Sequence, residues 1–307
     1  MMRLECLSLP DKNPVPLSEA TILCLGNFDG VHLGHRALLQ KAKELQSRLP
    51  HASCGVFCFS TPPAELLLGD RAPLRLSTTE QKLEAFYEAG MEFVILADFA
   101  SIKDLSPTEF AKNILFEQCH CAAAVCGFNY HFGAGGIGTA EQLSSILPVP
   151  VSVVNPVRAL GDTVSSSRIR SLLTAGDVET AAHLLAHPYT LQAPVVHGKG
   201  LGQHLGAPTI NQFFPERTQL PRCGVYVTQC EIDGMRYRGV TNVGTHPTVD
   251  RNAPVNCETY LLDFDGSLYG KTVSVSFLHF LRPEQKFESR EALSAQIRAD
   301  IEAARTF

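Results

Sequence analysis

Apolar and polar positions follow two different patterns along this chain, and the change lies near residue 187. From residue 21 to about 175, short apolar runs typical of buried parallel strands alternate with segments whose apolar side chains have helical spacing. The run Thr21–Gly26, for example, leads into a segment in which Leu38, Leu39, Ala42 and Leu45 share one helical face. Repeated strand–helix units predict a parallel sheet with helices on both faces, in which ligands bind at the carboxyl ends of the strands.

Short signals give the boundaries of the other elements in this half. Two capping boxes predict helix starts at Ser77–Glu80 and at Ser106–Glu109, and the first of these helices should end at Gly90. Further strands are predicted at Ser53–Phe59, Phe93–Ala97, Ala122–Cys126 and Val149–Val154.

After His187-Pro188 the strands are separated by turn dipeptides, and helical spacing returns only near the C-terminus. Asp233-Gly234 and Asp265-Gly266 each stand between two strand-like runs, which predicts two hairpins. We therefore expect two domains of different architecture. Residues 1–186 should form an α/β domain, and residues 187–307 an antiparallel β-barrel or sandwich closed by a C-terminal helix.

The composition excludes several classes of protein. Hydrophobic residues make up 45% and charged residues 19% of the 307 positions, a globular balance that excludes a disordered or fibrous chain. The net charge of −5 argues against nucleic acid as a partner. No apolar run reaches the roughly 18 residues of a membrane helix, and the N-terminus has no signal-peptide pattern. We therefore expect a cytoplasmic protein with no membrane partner.

The ten cysteines are interpreted as buried, reduced thiols. Most of them lie in apolar or alternating stretches with a strand pattern, and no C-x-x-C pair occurs. A disulfide scaffold would be small and rich in loops, which this chain is not. The cysteine usage therefore agrees with a reducing compartment.

Residues 26–35, G-N-F-D-G-V-H-L-G-H, carry the clearest chemical signal. They lie where the first strand turns into the first helix, so that glycines admit a ligand and the helix N-terminus offers free N–H groups to phosphate. His32 and His35 are three residues apart, so both imidazoles can face one ligand and stabilise charge on a leaving pyrophosphate. The segment is neither a G-x-G-x-x-G nor a Walker motif, which argues against a dehydrogenase or a P-loop kinase. A zinc site of Asp29 and the two histidines, and a purely structural turn, are the alternatives.

Two further segments contain the residue types of a nucleotide site. At Ser165–Arg170, three hydroxyls and two arginines at a helix start suit a phosphate clamp, although the serines could instead only cap the helix. At Gly127–Gly133, aromatic residues and a glycine-rich loop follow a predicted strand, which is a weak signal when taken alone.

In the second half, a glycine-rich segment precedes two oxygen ligands. Residues 197–202, H-G-K-G-L-G, could wrap phosphate, and the Thr209 hydroxyl and the Asn211 carbonyl oxygen are hard ligands that suit Mg²⁺. Glu258 opens an otherwise apolar and aromatic strand, where it could accept the proton of an alcohol that attacks a γ-phosphate. An ordinary hairpin loop and a solvent-facing glutamate are the alternatives for these two features.

Together, the N-terminal segments resemble the adenylyltransferase module of bifunctional riboflavin kinase/FAD synthetases, which has an H-x-G-H signature. Residues 26–35 match that family's G-x-F-D-G-x-H-x-G-H. Residues 127–133 match its G-x-[DN]-F-x-F-G with a tyrosine for a phenylalanine, and residues 165–170 match its S-S-T-x-I-R with a serine for the threonine. One departure is Thr61-Pro62-Pro63, where the family usually has P-H-P. The resemblance implies an α/β doubly wound parallel sheet of the nucleotidyltransferase type.

The same resemblance assigns roles by position. His32 and His35 would be catalytic and contact the ATP phosphates, and Phe128 and Asn129 would lie at the flavin. The nucleotide-binding residues that it implies are Gly26, Asn27, Phe28, Asp29, Gly30, Gly34, Asn129, Ser165, Ser166 and Arg168.

The second half resembles the riboflavin kinase module, an all-β six-stranded antiparallel barrel with a C-terminal helix, over essentially its whole length. Its L-G-x-P-T-x-N, E-T-x-x-L-D-F and L-Y-G-K stretches all match. By position, Glu258 would be the base on the ribityl 5′-hydroxyl, Thr209 and Asn211 would bind Mg²⁺-ATP, and Arg282 would line the flavin. The loop over the phosphates would contain Gly198, Lys199, Gly200 and Gly202.

We therefore expect an enzyme that phosphorylates riboflavin with ATP to FMN and then adenylylates FMN with a second ATP, giving FAD and pyrophosphate. Both steps should need Mg²⁺, and riboflavin, FMN and ATP are the expected partners. One alternative is a riboflavin kinase with a degenerate N-terminal module, which the missing P-H-P histidine favours. The other is a flavin-responsive binding protein, against which the presence of Glu258, Thr209 and Asn211 argues.

Overall fold

The structure is a computed structural model that describes residues 5–9, 20–198, 209–245 and 255–307. The chain divides into two compact units, Met1–Ser166 and Ser167–Phe307.

The first unit is built on a six-stranded, wholly parallel sheet with the strand order β1-β4-β3-β2-β5-β8. From β2 the chain proceeds to β3 and β4 on one side and then returns to place β5 on the other side. This reversal between β2 and β5 is the position where doubly wound sheets bind their ligands. The strands of the unit, with two small antiparallel pairs, are β1 (Glu5–Leu9), β2 (Thr21–Leu25), β3 (Ser53–Phe59), β4 (Phe93–Ala97), β5 (Cys121–Gly127), β6 (His131–Phe132), β7 (Gly138–Thr139), β8 (Val151–Val154), β9 (Arg158–Ala159) and β10 (Asp162–Thr163).

Helices cover both faces of this sheet, which confirms the predicted doubly wound architecture. On one face, Leu39 and Phe86 pack against Cys24, and on the other face Phe110 packs against Phe57. Alternate residues of each strand belong to opposite cores, as parallel strands buried on both sides require. The helices are α1 (Leu33–Gln46), α2 (Pro63–Leu68), α3 (Thr79–Glu88), α4 (Phe99–Ile102), α5 (Pro107–Glu109), which continues as a π-helix (Phe110–Gln118), and α6 (Ala140–Ile146); two short 3₁₀ turns are Gly69–Arg71 and Ala134–Gly136.

The capping boxes fix two of these helix starts. Ser106 and Glu109 form the predicted box with reciprocal side-chain and backbone hydrogen bonds. At α3 the box is formed by Thr78 and Gln81, one residue later than predicted. A shift of one residue at the start of a helix matters little to the fold.

The second unit is a six-stranded antiparallel sheet with the order β11-β16-β13-β14-β15-β12. A bridge between Val196 and Asn211 joins its two ends, with Val196 N–H donating to the Asn211 carbonyl at 2.9 Å, so that the sheet closes into the predicted barrel. Its strands are β11 (Tyr189–Pro194), β12 (Thr209–Phe213), β13 (Gly224–Ile232), β14 (Met235–Thr245), β15 (Val255–Leu261) and β16 (Thr272–Arg282).

One of the two predicted hairpins is confirmed and the other is wrong. Asp233 and Gly234 have φ angles of +51° and +79°, which is the left-handed pair that a two-residue hairpin turn requires, and they join β13 to β14. Asp265-Gly266 instead lies inside a long connection between β15 and β16, which are not neighbours in the sheet. The dipeptide forms no hairpin turn there, and β15 pairs with β14 and β12.

Three helices belong with the barrel: α7 (Ser166–Ala175), α8 (Val178–Leu185) and α9 (Arg290–Thr306). Helix α8 packs on β11 and β16, while α9 packs on β13 and β14, with Ala304 buried against Val227 and Leu262. In the described part of the chain, no helix has the length and apolar character needed to cross a membrane. None of the nine cysteines whose side chains the structure describes forms a disulfide, and among these only Cys223 is not buried.

Candidate active sites

The first candidate site lies at the carboxyl ends of β2 and β5. Leu25 and Cys126 are register partners in these adjacent parallel strands. The segment that follows β2 begins at Gly26, and the segment that follows β5 begins at Phe128, so two of the sequence motifs meet at one edge of the sheet. This edge is the reversal point of the strand order, where the fold leaves a crevice for a ligand.

The turn between β2 and α1 has an unusual backbone. Phe28, Gly30 and Val31 have φ angles of +52°, +82° and +38°. A positive φ at a β-branched residue costs free energy, of the order of 1–3 kcal/mol, and such costs cluster at functional sites. The Asp29 carboxylate holds the turn by accepting the backbone N–H groups of Leu76 and Ser77, at 2.9 and 3.2 Å.

The two histidines of the turn form a stacked pair. His32 is the N-cap residue of α1, and its Nδ1 accepts the backbone N–H of His35 at 3.3 Å. Their ring centroids are 3.7 Å apart and their planes differ by 12°. Gly34 is the second of the two residues between the histidines, and a Cβ atom there would press on the His32 ring, 3.1 Å from Cε1. The glycine of the H-x-G-H motif therefore leaves room for the stacked rings.

The environment of His35 disfavours a positive charge on its imidazole. Burial lowers the pKa of its imidazole well below the ordinary value, and the nearby His32 and Lys82 lower this pKa further. The wholly buried ring of Phe28 lies beside His35, with centroids 5.1 Å apart. Nδ1 of His35 has no hydrogen-bond partner among the described residues. A neutral imidazole can donate one N–H to a phosphate oxygen, but it brings no positive charge.

The serine-rich segment reaches the same turn. The Ser166 hydroxyl donates to the Asp29 carbonyl oxygen at 2.9 Å, which joins positions 137 residues apart in the sequence. Ser165 and Ser166 are half-buried, and Arg168 follows two residues later on α7. Ser166 therefore supports the shape of the turn, in addition to any contact with phosphate.

The segment after β5 leaves two side chains exposed. Phe128 has 46% of its surface exposed, and Asn129 is also exposed, so both are available to a ligand. Tyr130 turns inwards, where its ring stacks on Phe132 with centroids 5.8 Å apart. The ring of Phe28, in contrast, is wholly buried and lies edge-on to Phe86, so any contact of Phe28 with a nucleotide would involve its backbone.

The zinc alternative finds no support here. Within the ranges that the structure describes, no group of three or more His, Cys, Asp or Glu side chains could hold a metal ion. The Asp29 carboxylate accepts backbone N–H groups, and Nδ1 of His32 accepts the N–H of His35.

The second candidate site lies on the barrel, where β12, β15 and β14 are neighbours. Asn211, Glu258 and Asn242 are register partners in these three strands, so their side chains lie at one level. The amide of Asn256 donates to Oε1 of Glu258 at 3.4 Å, two residues along the same face. The carboxylate of Glu258 is thus surrounded by amide groups and half-exposed to solvent.

Asn211 and Thr209 present oxygen atoms beside this carboxylate. Nδ2 of Asn211 donates to the Thr209 carbonyl at 3.4 Å, which leaves Oδ1 of Asn211 without a partner among the described residues. A Cβ atom at Gly198 would collide with the Asn211 amide, so the glycine-rich segment begins in direct contact with it. A hydroxyl, an amide oxygen and a carboxylate are the hard donors that Mg²⁺ prefers, and the residues fit that ion. Lys199, Gly200 and Gly202 lie outside the described residues.

Arg282 forms an ion pair that the sequence analysis missed. Its guanidinium binds the Asp300 carboxylate of α9, with Nη2 and Oδ2 2.7 Å apart, and only 6% of the Asp300 side chain is exposed. Its guanidinium also lies over the Phe287 ring, 5.7 Å from the centroid. Arg282 therefore ties β16 to α9, and its flavin contact stays a prediction.

Comparisons with known proteins cover both sites. The family model for FAD synthetase matches residues 15–168, and the family model for riboflavin kinase matches residues 185–307. A bifunctional riboflavin kinase/FMN adenylyltransferase from Pseudomonas fluorescens is 36% identical over 94% of each chain. One from Listeria monocytogenes is 32% identical over 96% of each chain.

A solved structure extends the likeness to the whole fold. It is described as a macrolide-efflux protein from Streptococcus pneumoniae, has a TM-score of 0.90 and 30% identity, and covers 99% of this chain and 100% of that chain. The efflux description differs from the enzyme names of the sequence relatives and says nothing about the chemistry of this chain. Two matched family models in this order, with relatives that align over nearly the full length, show that the chain belongs to the bifunctional riboflavin kinase/FMN adenylyltransferase family.

Proposed function

We propose that this bifunctional enzyme carries out its two reactions with the residues that the structure gathers at the two candidate sites. The second unit phosphorylates riboflavin with ATP, and the first unit adenylylates the resulting FMN with a second ATP. The observation that carries the proposal is that each matched family region contains one candidate site. The FAD synthetase region contains the His32–His35 stack, and the riboflavin kinase region contains the row Asn211, Glu258 and Asn242. The comparisons favour this proposal over a riboflavin kinase with a degenerate first domain.

In the kinase reaction, Glu258 is the base. Its carboxylate accepts the proton of the ribityl 5′-hydroxyl as that oxygen attacks the γ-phosphorus of ATP. The bond between the γ-phosphorus and the bridging oxygen breaks, and ADP leaves. Asn256 donates to Oε1 of Glu258, which orients the carboxylate. Thr209 and Asn211 would hold Mg²⁺, which supplies charge neutralisation on the phosphates when bound.

In the adenylyl transfer, the work is positioning and charge stabilisation. A phosphate oxygen of FMN attacks the α-phosphorus of ATP, the bond from that phosphorus to the β-phosphate oxygen breaks, and pyrophosphate leaves. The α1 N-terminus with His32 and His35 contacts the phosphates, and Ser166 and Arg168 hold phosphate. Phe128 and Asn129, exposed at the end of β5, lie against the flavin.

The cellular compartment is proposed from the cysteines. None of the nine cysteines whose side chains the structure describes forms a disulfide, and burial raises the pKa of the Cys54, Cys119 and Cys121 thiols to about 12, which favours the protonated, less reactive form. A reducing cytoplasm suits a chain that carries so many thiols without disulfides.

Two single variants test both halves of the proposal. Glu258→Gln should abolish FMN formation from riboflavin while FAD formation from supplied FMN continues, and His35→Ala should give the opposite result. Glu231→Gln, an exposed glutamate on β13, is the matched control for the first variant. Product chromatography with riboflavin and ATP, and then with FMN and ATP, reports each reaction. Absence of FAD from wild-type enzyme given FMN, ATP and Mg²⁺ would favour the kinase-only alternative.

A further inference from the structure

Lys82 is a buried cation without a visible counter-charge. Only 8% of its surface is exposed, although it follows the polar residues Thr79, Glu80 and Gln81 in the first turn of α3. Among the described residues, its ammonium group makes no ion pair and no hydrogen bond. A buried charge without a partner costs free energy, so lysines are rarely buried in this way unless something compensates them.

Lys82 lies on the buried face of α3, and Phe86 on the same face leads to the histidine pair. Lys82 and Phe86 are the two buried residues of α3 and lie one helical turn apart, on the same face. Phe86 lies edge-on to Phe28 with centroids 5.3 Å apart, and Phe28 in turn lies beside His35. The lysine is also close enough to lower the pKa of His35 electrostatically. A chain of ring contacts therefore joins Phe86 to both imidazoles, and Lys82 lies on the same buried face of α3 as Phe86.

We propose that Lys82 contacts the polyphosphate of ATP in the adenylylation site and supplies positive charge beside the two histidines. The inference rests on the proposed function of this site. As the bond from the α-phosphorus to the β-phosphate oxygen breaks, the electron pair goes to pyrophosphate, and the ammonium group stabilises that growing negative charge. His32 and His35 donate or accept hydrogen bonds beside it, while ATP provides the counter-charge that the free protein lacks.

A charge-removing variant tests this role in the full-length enzyme. Lys82→Met keeps the length of the side chain and removes its charge, so FAD formation from FMN should fall by roughly 100-fold. Lys82→Arg keeps the charge and should retain more activity than Lys82→Met. Lys103→Met, which changes an exposed lysine paired with Asp104 in the same unit, is the matched control and should have no effect.

Binding and stability measurements separate this role from a structural one. Inorganic pyrophosphate, titrated calorimetrically into full-length protein, should bind at least tenfold more weakly to Lys82→Met than to wild type. The unfolding midpoint of Lys82→Met should equal or exceed that of wild type, because a buried, uncompensated charge has been replaced by an apolar group. Riboflavin phosphorylation should not change.

Several results would overturn the inference. Wild-type rates of FAD formation or wild-type pyrophosphate affinity in Lys82→Met would show that the ammonium group does not meet the phosphates. Equal losses in Lys82→Met and Lys82→Arg with a lowered unfolding midpoint would show a structural role. If wild-type enzyme itself formed no FAD, the proposed function of the site would fail. If wild-type enzyme and Lys82→Met formed FAD at the same rate, only the role of Lys82 would fail.

Discussion

The imidazole rings of His32 and His35 stack with their centroids 3.7 Å apart, and Nδ1 of His32 accepts the backbone N–H of His35. Two protonated rings at this distance would repel each other strongly, and burial lowers the pKa of His35 further, so a second positive charge on the pair is disfavoured. The pair is therefore suited to hydrogen bonding with phosphate oxygens, and a neighbouring cation such as Lys82 can add positive charge. The adenylylation rate should therefore depend on the shape of the turn, which places the two rings, as well as on its charge.

Gly34→Ala should damage adenylylation by displacing a ring. The added Cβ would lie 3.1 Å from Cε1 and 3.2 Å from Nδ1 of His32, so the imidazole has to shift by a few tenths of an ångström, which disturbs the stack. Misplacing catalytic groups by a fraction of an ångström to 1 Å costs roughly 10- to 100-fold in rate. We expect a loss of this size in FAD formation from FMN and ATP, with riboflavin phosphorylation unchanged as the internal control.

A double-mutant cycle identifies the cause of that loss. His32→Asn keeps an N-capping acceptor but removes the ring that the new Cβ would meet. If the clash is responsible, Gly34→Ala should cost little more in the His32→Asn background than His32→Asn costs alone. A full additional loss in that background would contradict the clash.

Much of the fold was predictable because local signals and tertiary packing agree. The boundaries of β3 and β4 match the predicted runs Ser53–Phe59 and Phe93–Ala97, because both are wholly apolar or small and end at turn residues. The Asp233-Gly234 hairpin was predictable because the dipeptide itself adopts the left-handed backbone that the turn needs. The H-x-G-H and E-T-x-x-L-D-F motifs identified both sites from short stretches of sequence.

The rest depends on contacts between residues that are distant in the sequence. Asp265-Gly266 has the same turn chemistry as the confirmed hairpin, but the partners of β15 and β16 are chosen by the barrel. A lysine is an expected surface residue of a helix, and only the packing of α3 shows that Lys82 is buried. Asp300 is 18 residues from Arg282, and no local pattern connects them.

The lowered pKa of His35 should make stability depend on pH. In the unfolded chain this imidazole binds a proton at its ordinary value near 6.5, while in the folded chain it binds one only at a lower pH. Between these two values the unfolded state holds one more proton, so the free energy of unfolding falls as the pH decreases, by up to about 1.4 kcal/mol per pH unit. Above about pH 6.5 this contribution is constant.

The variant His35→Gln isolates this effect from the other histidines. Hydrogen exchange at the β2 amides of full-length protein, measured between pH 7.5 and about 5, reports the local stability. The local free energy of opening should depend less steeply on pH in His35→Gln than in wild type, by an amount that corresponds to the uptake of up to one proton. Equal slopes in the two proteins would mean that His35 titrates normally when folded.

Gly198→Ala should impair the kinase reaction selectively. A Cβ atom at position 198 would collide with the amide of Asn211, whose Oδ1 is a proposed Mg²⁺ ligand. Either the glycine-rich segment or the amide must move, so the KM for Mg²⁺-ATP should rise and the kinase rate should fall, each by roughly tenfold or more. FAD formation from supplied FMN should stay at the wild-type rate, and its loss would contradict the assignment of this contact to the kinase site.

Removing Arg282 should destabilise the barrel whether or not it meets the flavin. Arg282→Met leaves the Asp300 carboxylate, of which 6% is exposed, buried without its partner, which costs roughly 3–5 kcal/mol. Hydrogen exchange at the amides of β13 in full-length protein should show this loss. Changing both residues, Arg282→Met with Asp300→Leu, should restore much of the stability. If Arg282 also lines the flavin, the KM for riboflavin stays raised in the double variant; a normal KM there assigns Arg282 to structure alone.

Helices α7 and α8, which precede the barrel in the chain, should stabilise the barrel as an isolated fragment. Leu184 and Leu185 of α8 are buried, and Nδ1 of His279 on β16 lies 2.5 Å from Oε1 of Glu179 on the same helix. The Arg222 N–H donates to the Leu173 carbonyl of α7 at 2.8 Å. A fragment that starts at residue 187, the domain boundary predicted from the sequence, would lack both helices and expose the surface they cover.

We therefore expect fragment 167–307 to be more stable than fragment 187–307 by several kcal/mol, since burying two leucines contributes about 1.5–3 kcal/mol each. Urea unfolding of both fragments, followed by far-UV circular dichroism, gives the comparison, and phosphorylation of riboflavin by each fragment shows whether the site is intact. In fragment 167–307, Leu184→Ala should lower stability towards that of the shorter fragment. Equal urea midpoints for the two fragments would mean that α7 and α8 add nothing to the barrel and would support the boundary at residue 187.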